Sequence, residues 1–226
     1  MAIGTLNEGP LHAALKAMYA ANGGEEEVSV DGFVADAVRN GTMYEIQTGS
    51  FSGMGRKLDR LLALGPVVLV HPIAEQSHHL KVAEEDGTIT RRKSPKRGAL
   101  VHIVNELVYI PYQLAHPNLS VDVVLTHEEE VRFFDPDKRR GRGGWRVHER
   151  RLLDVVDTRR IAAPGDLLEF LQDDLPEPFR TRDLAQALDQ PVAVAQKLAY
   201  CLRHGGVAQV CGKDGNALLY RVTAGT

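Results

Sequence analysis

The chain has 226 residues, room for one large domain or two small ones, and its 43% hydrophobic and 25% charged residues match a soluble globular protein. No apolar run approaches the roughly 20 residues of a membrane-spanning helix, and no charged segment leading into an apolar one opens the chain, so a cytoplasmic protein with no membrane partner is expected. A net charge of −3 singles out no class of partner, and the two cysteines, Cys201 and Cys211, make neither a disulfide framework nor a zinc site.

In chain order, helical spacing of Leu11, Leu15 and Met18 predicts a helix over 8–21, with Asn7 as N-cap and Asn22-Gly23-Gly24 as its end. Val28, Val30 and Phe33-Val34 predict strands. Asn40-Gly41 then marks a tight hairpin between Val34–Arg39 and Thr42–Thr48. A Gly/Ser loop around Phe51 leads to a helix over 56–64, with Leu58, Leu61 and Leu62 inward. Gly65-Pro66 ends it, and 67–73 is an apolar strand buried on both faces. Leu80–Val82 and Thr88–Thr90 pair around Asp86-Gly87. Residues 98–115 are partly helical, up to the limit set by Pro111, and 121–126 is a strand. The charged stretch 128–151 resists assignment.

The C-terminal part reads differently. Leu167, Leu168 and Leu171 predict a short helix, and Pro176 and Pro178 a linker. Thr181 caps a helix over 182–188, and Gln190-Pro191 opens a second over 192–204, ended by Gly205-Gly206. Two alternating strands, 207–210 and 218–222, flank Asp214-Gly215. Helix, turn, helix and hairpin in that order resemble a winged-helix domain. The expected division is 1–160, a linker over 161–175, and 176–226.

Chemistry concentrates on the first hairpin. Period-2 alternation puts Glu45 and Gln47 on one face of the second strand, and the turn folds Asp36 back beside them. Carboxylates among apolar neighbours need a partner, and a hard divalent cation is the natural one. A solvated polar strand face is the competing reading. Two basic stretches follow, 91–97 and 138–151. The second holds Arg140, Arg142, Trp145 and Arg146, with glycines that allow close approach to a phosphate chain and an indole able to stack on a base. A solvated loop is the alternative there.

Over residues 8–74 the chain resembles the PD-(D/E)XK phosphodiesterase superfamily. It has a helix carrying Glu8, then Asp36, then Glu45-Ile46-Gln47 where the superfamily has (D/E)-x-K, then a helix and a strand. Gln47 departs from the expected lysine. The resemblance implies a restriction-endonuclease-like mixed sheet flanked by helices in an α/β fold, followed by the small winged helix-turn-helix domain. It implies a nuclease hydrolysing phosphodiester bonds of nucleic acid, DNA in the leading reading. Mg2+ or Mn2+ would be held by Asp36, Glu45 and the Ile46 carbonyl, with Gln47 placing the attacking water and Glu8 in support. Lys57 is a candidate for the missing cation. In the winged helix, Lys197 and Arg203 are expected to contact nucleic acid. By fold-level analogy a homodimer follows. A non-catalytic nucleic-acid binder with a decayed nuclease core, or a regulatory module contacting protein, are the competing functions.

Overall fold

Helix α1 (Pro10–Ala20) begins at Gly9, with Pro10 in its first turn where a missing N–H costs nothing. The expected cap, Asn7, lies outside the residues described by this computed structural model, which are 8–82, 88–135 and 144–223. Leu11, Leu15 and Tyr19 are buried, whereas Met18 is exposed. The inward stripe follows i, i+4, i+8 and leaves Met18 on its rim.

Strands β1 (Glu25–Val30), β2 (Phe33–Arg39) and β3 (Thr42–Ile46) form an antiparallel meander. Asn40 and Gly41 both take positive φ, 51° and 76°, as the predicted tight turn requires. Helix α2 (Gly55–Leu64) buries Leu58, Leu61 and Leu62 as expected. Strand β4 then runs from Val67 to Val82, far past its apolar start, and pairs with β5 (Ile89–Lys93). The predicted pairing of 80–82 with 88–90 is present; its turn at Asp86-Gly87 lies outside the described residues. A 3-10 turn (Leu100–Ile103) and the short helix α3 (Val104–Leu107) account for the predicted partial helix.

The described parts of the stretch that resisted assignment are almost all strand. β6 covers Leu119–Phe134 and β7 covers Trp145–Ile161. β7 ends the sheet and is exposed along most of its length, so it carries no alternating apolar signal. Among the described residues the large mixed sheet has the order β1-β2-β3-β4-β6-β7, with β5 on β4.

The chain folds into two compact units, each assembled from separate stretches of sequence. The first draws on 1–48, 70–99 and 124–158, the second on 49–69, 100–123 and 159–226. In the second, Phe51 is fully buried and its N–H donates to Glu106, so it is a hydrophobic plug. After a 3-10 segment (Pro164–Phe170) come α4 (Thr181–Ala187) and α5 (Val192–His204). Thr181 is the first residue of α4, and Asp183 Oδ2 accepts the Arg180 N–H at 2.7 Å. A small separate sheet follows, β8 (Ala208–Asp214) with β9 (Ala217–Val222), tied down where Phe179 stacks on Tyr220.

Candidate functional site

The β2–β3 ladder pairs Arg39 with Thr42, Val38 with Met43 and Ala37 with Tyr44. One step further, the Ile46 N–H donates to the Asp36 side chain, Oδ2, at 2.7 Å. A carboxylate thus takes an N–H that a regular ladder would give to a carbonyl. His12, on α1, brings Nε2 to 3.3 Å from the same Oδ2, and its Nδ1 meets Glu8 Oε1 at 2.7 Å. Lys16, one turn further, is buried and donates to Glu8 at 2.7 Å and to Glu27 at 3.0 Å. His12 and Lys16 share one face of α1, and Glu8, which the sequence placed on the helix, lies just before its N-cap Gly9 and reaches back to both. The i, i+4 spacing was the sequence signal for His12 and Lys16.

Electrostatics follow from these contacts. The hydrogen bond to Asp36, aided by Glu8 and opposed by burial, raises the His12 imidazole above its ordinary pKa. With a carboxylate at each nitrogen the ring is held as imidazolium, donating both ways. Burial alone would raise Glu8 and lower Lys16. The hydrogen bonds to Lys16 and His12 outweigh it for Glu8, whose pKa falls; those to Glu8 and Glu27 outweigh it for Lys16, whose pKa rises. Three carboxylates, Glu8, Glu27 and Asp36, against these two cations leave one surplus negative charge.

Glu45 directly precedes Ile46 and is only 5% exposed, with Oε1 sealed from solvent. The Gln47 backbone is fixed on β4: its N–H donates to Val70 at 2.8 Å and its carbonyl accepts from His71 Nδ1 at 2.7 Å. His71, within β4, is thus a hydrogen-bonded histidine of the sheet. Next along, the Thr48 carbonyl accepts from Arg150 at 3.1 Å. Arg150 grips Glu128 through two nitrogens, at 2.9 and 3.0 Å, and Thr126 donates to the same carboxylate at 2.7 Å. No local spacing announces this cluster, because residues 48, 128 and 150 meet only through strand pairing.

The remaining candidates are dispersed. Lys57 is half-buried on α2, in the second unit. The Lys81 ammonium sits over the Trp145 ring, 4.5 Å from its centroid, and that ring also lies edge-on to Phe134. Arg146 is exposed, 3.8 Å from Asp135. Arg140 and Arg142 lie outside the described residues. Lys197 turns inward and donates to Asn105 of α3 at 2.8 Å, while Arg203 is exposed. Burial pushes the Cys201 thiol up to about 12, which removes it as a nucleophile.

Among the described residues no three or more His, Cys, Asp or Glu side chains are grouped to hold a metal ion. Asp36, partly exposed, and Glu45, buried, offer the carboxylate oxygens that a hard divalent cation takes. In the present arrangement the His12 imidazolium holds the place beside Asp36.

A family model described as a domain of unknown function, DUF8091, matches residues 9–162. The chain belongs to the DUF8091 family. The matched DUF8091 region runs from α1 to the end of β7 and so contains the whole His12–Asp36 cluster apart from Glu8, leaving α4, α5 and the β8–β9 hairpin beyond it. The DUF8091 chain is also similar to an uncharacterized protein of Treponema pallidum (strain Nichols), 34% identical over 98% of this chain and 88% of that protein. That likeness extends through the C-terminal helices. No solved structure matches the chain.

Proposed function

We propose that this chain is a metal-dependent nuclease of PD-(D/E)XK type, with a restriction-endonuclease-like core and a C-terminal winged helix. The observation that carries this reading is the Asp36 carboxylate at the end of the β2–β3 ladder, hydrogen-bonded to the Ile46 N–H and flanked by Glu45. Asp36, Glu45 and the Ile46 carbonyl would hold Mg2+ or Mn2+. When bound, the ion supplies an acidified water and stabilises charge on the phosphoryl oxygens. The chain's own residues do the rest. His12 supplies the positive charge that Gln47 does not, and as an imidazolium it has a proton to give to a leaving oxygen. Glu8 orients that ring, and Lys16 keeps Glu8 ionised. Gln47, its backbone fixed on β4, orients water through its carboxamide and carries no proton.

Incubation with plasmid, oligonucleotide and RNA substrates, with Mg2+ or Mn2+ and then with EDTA, tests the reading. Metal-dependent cleavage that Asp36→Asn abolishes is the expected result; cleavage undiminished in Asp36→Asn would sink it.

One observation favours a second reading. The imidazolium beside Asp36 and the glutamine at 47 suit a core that binds nucleic acid without cutting it. Helix α5 likewise spends Lys197 on α3, which suits a winged helix used for assembly more than for reading DNA. A gel shift with steep salt dependence and no cleavage under any metal would select this alternative.

A further inference from the structure

A basic cavity of about 460 Å³ lies on the β4–β5 hairpin, lined by His79, Lys81, Thr90, Arg92, Lys93 and Arg132. Its construction follows from register. His79 pairs with Arg92 and Lys81 with Thr90, so all four side chains share one face of the two-stranded ribbon. Arg132 enters from β6 and donates to His79 Nε2 at 3.0 Å. Arg132 also binds Glu130 through Nε at 3.0 Å. Trp145 packs under Lys81 and directs its ammonium.

Among the described residues Lys81, Arg92 and Arg132, with Lys93 lining the cavity from its register position opposite His78, outnumber the one carboxylate, Glu130, by about three charges. Cations gathered at one concavity repel one another, so the arrangement favours an anion. A phosphodiester linkage brings a single charge, whereas a terminal phosphate brings close to two at neutral pH. The cavity volume falls in the range of small-molecule sites, about 300–1,000 Å³. We infer that the β4–β5 cavity binds a nucleotide-sized ligand through a diphosphate or longer phosphate tail. Lys81, Arg92, Lys93 and Arg132 neutralise the tail, and the Thr90 hydroxyl is placed to donate to it. This site is independent of the Asp36 cluster and needs no metal.

Calorimetric titration of the full chain in EDTA, with sodium pyrophosphate, adenosine diphosphate, inorganic phosphate and a single-stranded thymidine oligonucleotide, tests the inference. Pyrophosphate and adenosine diphosphate should each saturate one site, with inorganic phosphate weaker. The double variant Arg92→Ala/Lys93→Ala, altering exposed side chains of β5, should bind about tenfold more weakly or worse. Arg92→Gln should show part of the loss, and Lys213→Ala, the same charge change on β8, none. Absence of saturable pyrophosphate binding, or wild-type affinity in both β5 variants, overturns the inference. Tighter binding of the oligonucleotide than of adenosine diphosphate, lost in the same variants, also overturns it, in favour of a strand. Because no step uses Asp36, loss of nuclease activity in Asp36→Asn with pyrophosphate binding intact separates this site from the proposed nuclease centre.

Discussion

His12 Nε2 stands 3.3 Å from Asp36 Oδ2, the oxygen that also accepts the Ile46 N–H. One carboxylate therefore fastens a helix to a sheet and supports the end of a strand. Its two duties give it structural consequences as well as any chemical ones.

The first consequence is a pH dependence. His12 titrates near 6.5 in the unfolded chain and higher in the folded one. Its contribution is therefore fully present below about pH 6.5 and is lost as pH rises through the folded value. Melting temperatures of wild type and His12→Gln should differ most in mild acid, by about 1 kcal/mol of stability, and converge as the solution becomes alkaline. A gap that widens with pH contradicts the assignment. Glu8, held below its ordinary range, bounds the acid side: its contribution disappears as pH falls through its lowered value.

In the proposed nuclease, Mg2+ and the imidazolium would compete for Asp36. In a histidine proton NMR titration, saturating Mg2+ should lower the His12 pKa, since the ion removes the hydrogen-bonded carboxylate that raises it. A His12 titration curve unmoved by Mg2+ would mean that the ion does not reach Asp36.

Asp36→Ala is not a neutral change for the fold. It strands the Ile46 N–H, at a cost of about 1–3 kcal/mol if water cannot replace the carboxylate. Asp36→Asn keeps an acceptor oxygen and should be closer to wild type in urea unfolding while still losing activity. Equal stability of the two variants would show that the Ile46 contact contributes little.

Arg150→Ala should be among the most damaging single changes in the chain. It leaves Glu128, 1% exposed, as a buried carboxylate without its guanidinium, at about 3–5 kcal/mol. Glu128→Gln in the same background should recover part of the loss, because an amide is far less costly to bury. Denaturation midpoints of the single and double variants form the cycle that checks this.

Arg203 and Lys197 separate two uses of α5. If the helix reads DNA, Arg203→Ala weakens binding about uniformly across sequences and lowers the salt slope by about one. Lys197→Ala should instead act on stability, through the lost bond to Asn105. Fluorescence anisotropy at several salt concentrations, beside thermal melts, distinguishes them; a salt slope altered by Lys197→Ala at unchanged stability would reverse the assignment.

Local chemistry was enough to place the Asn40-Gly41 turn, helix α2 and the helix-helix-hairpin order of the C-terminal part. Each depends on turn residues or on apolar spacing within a few positions. The end of β6 and the start of β7 were illegible because a largely exposed strand carries no clear buried face to mark it, and its charges pair across the sheet: Arg151 with Glu129, Arg150 with Glu128. Asp36 and Glu8 stood out as acids, but the imidazolium beside them came from α1 lying against β2, which brings His12 to Asp36. A sequence determines where a chain turns and which stripes it must bury, since both are local and steric. Where polar groups converge depends on contacts between residues tens of positions apart, and only the assembled sheet and helix decide that.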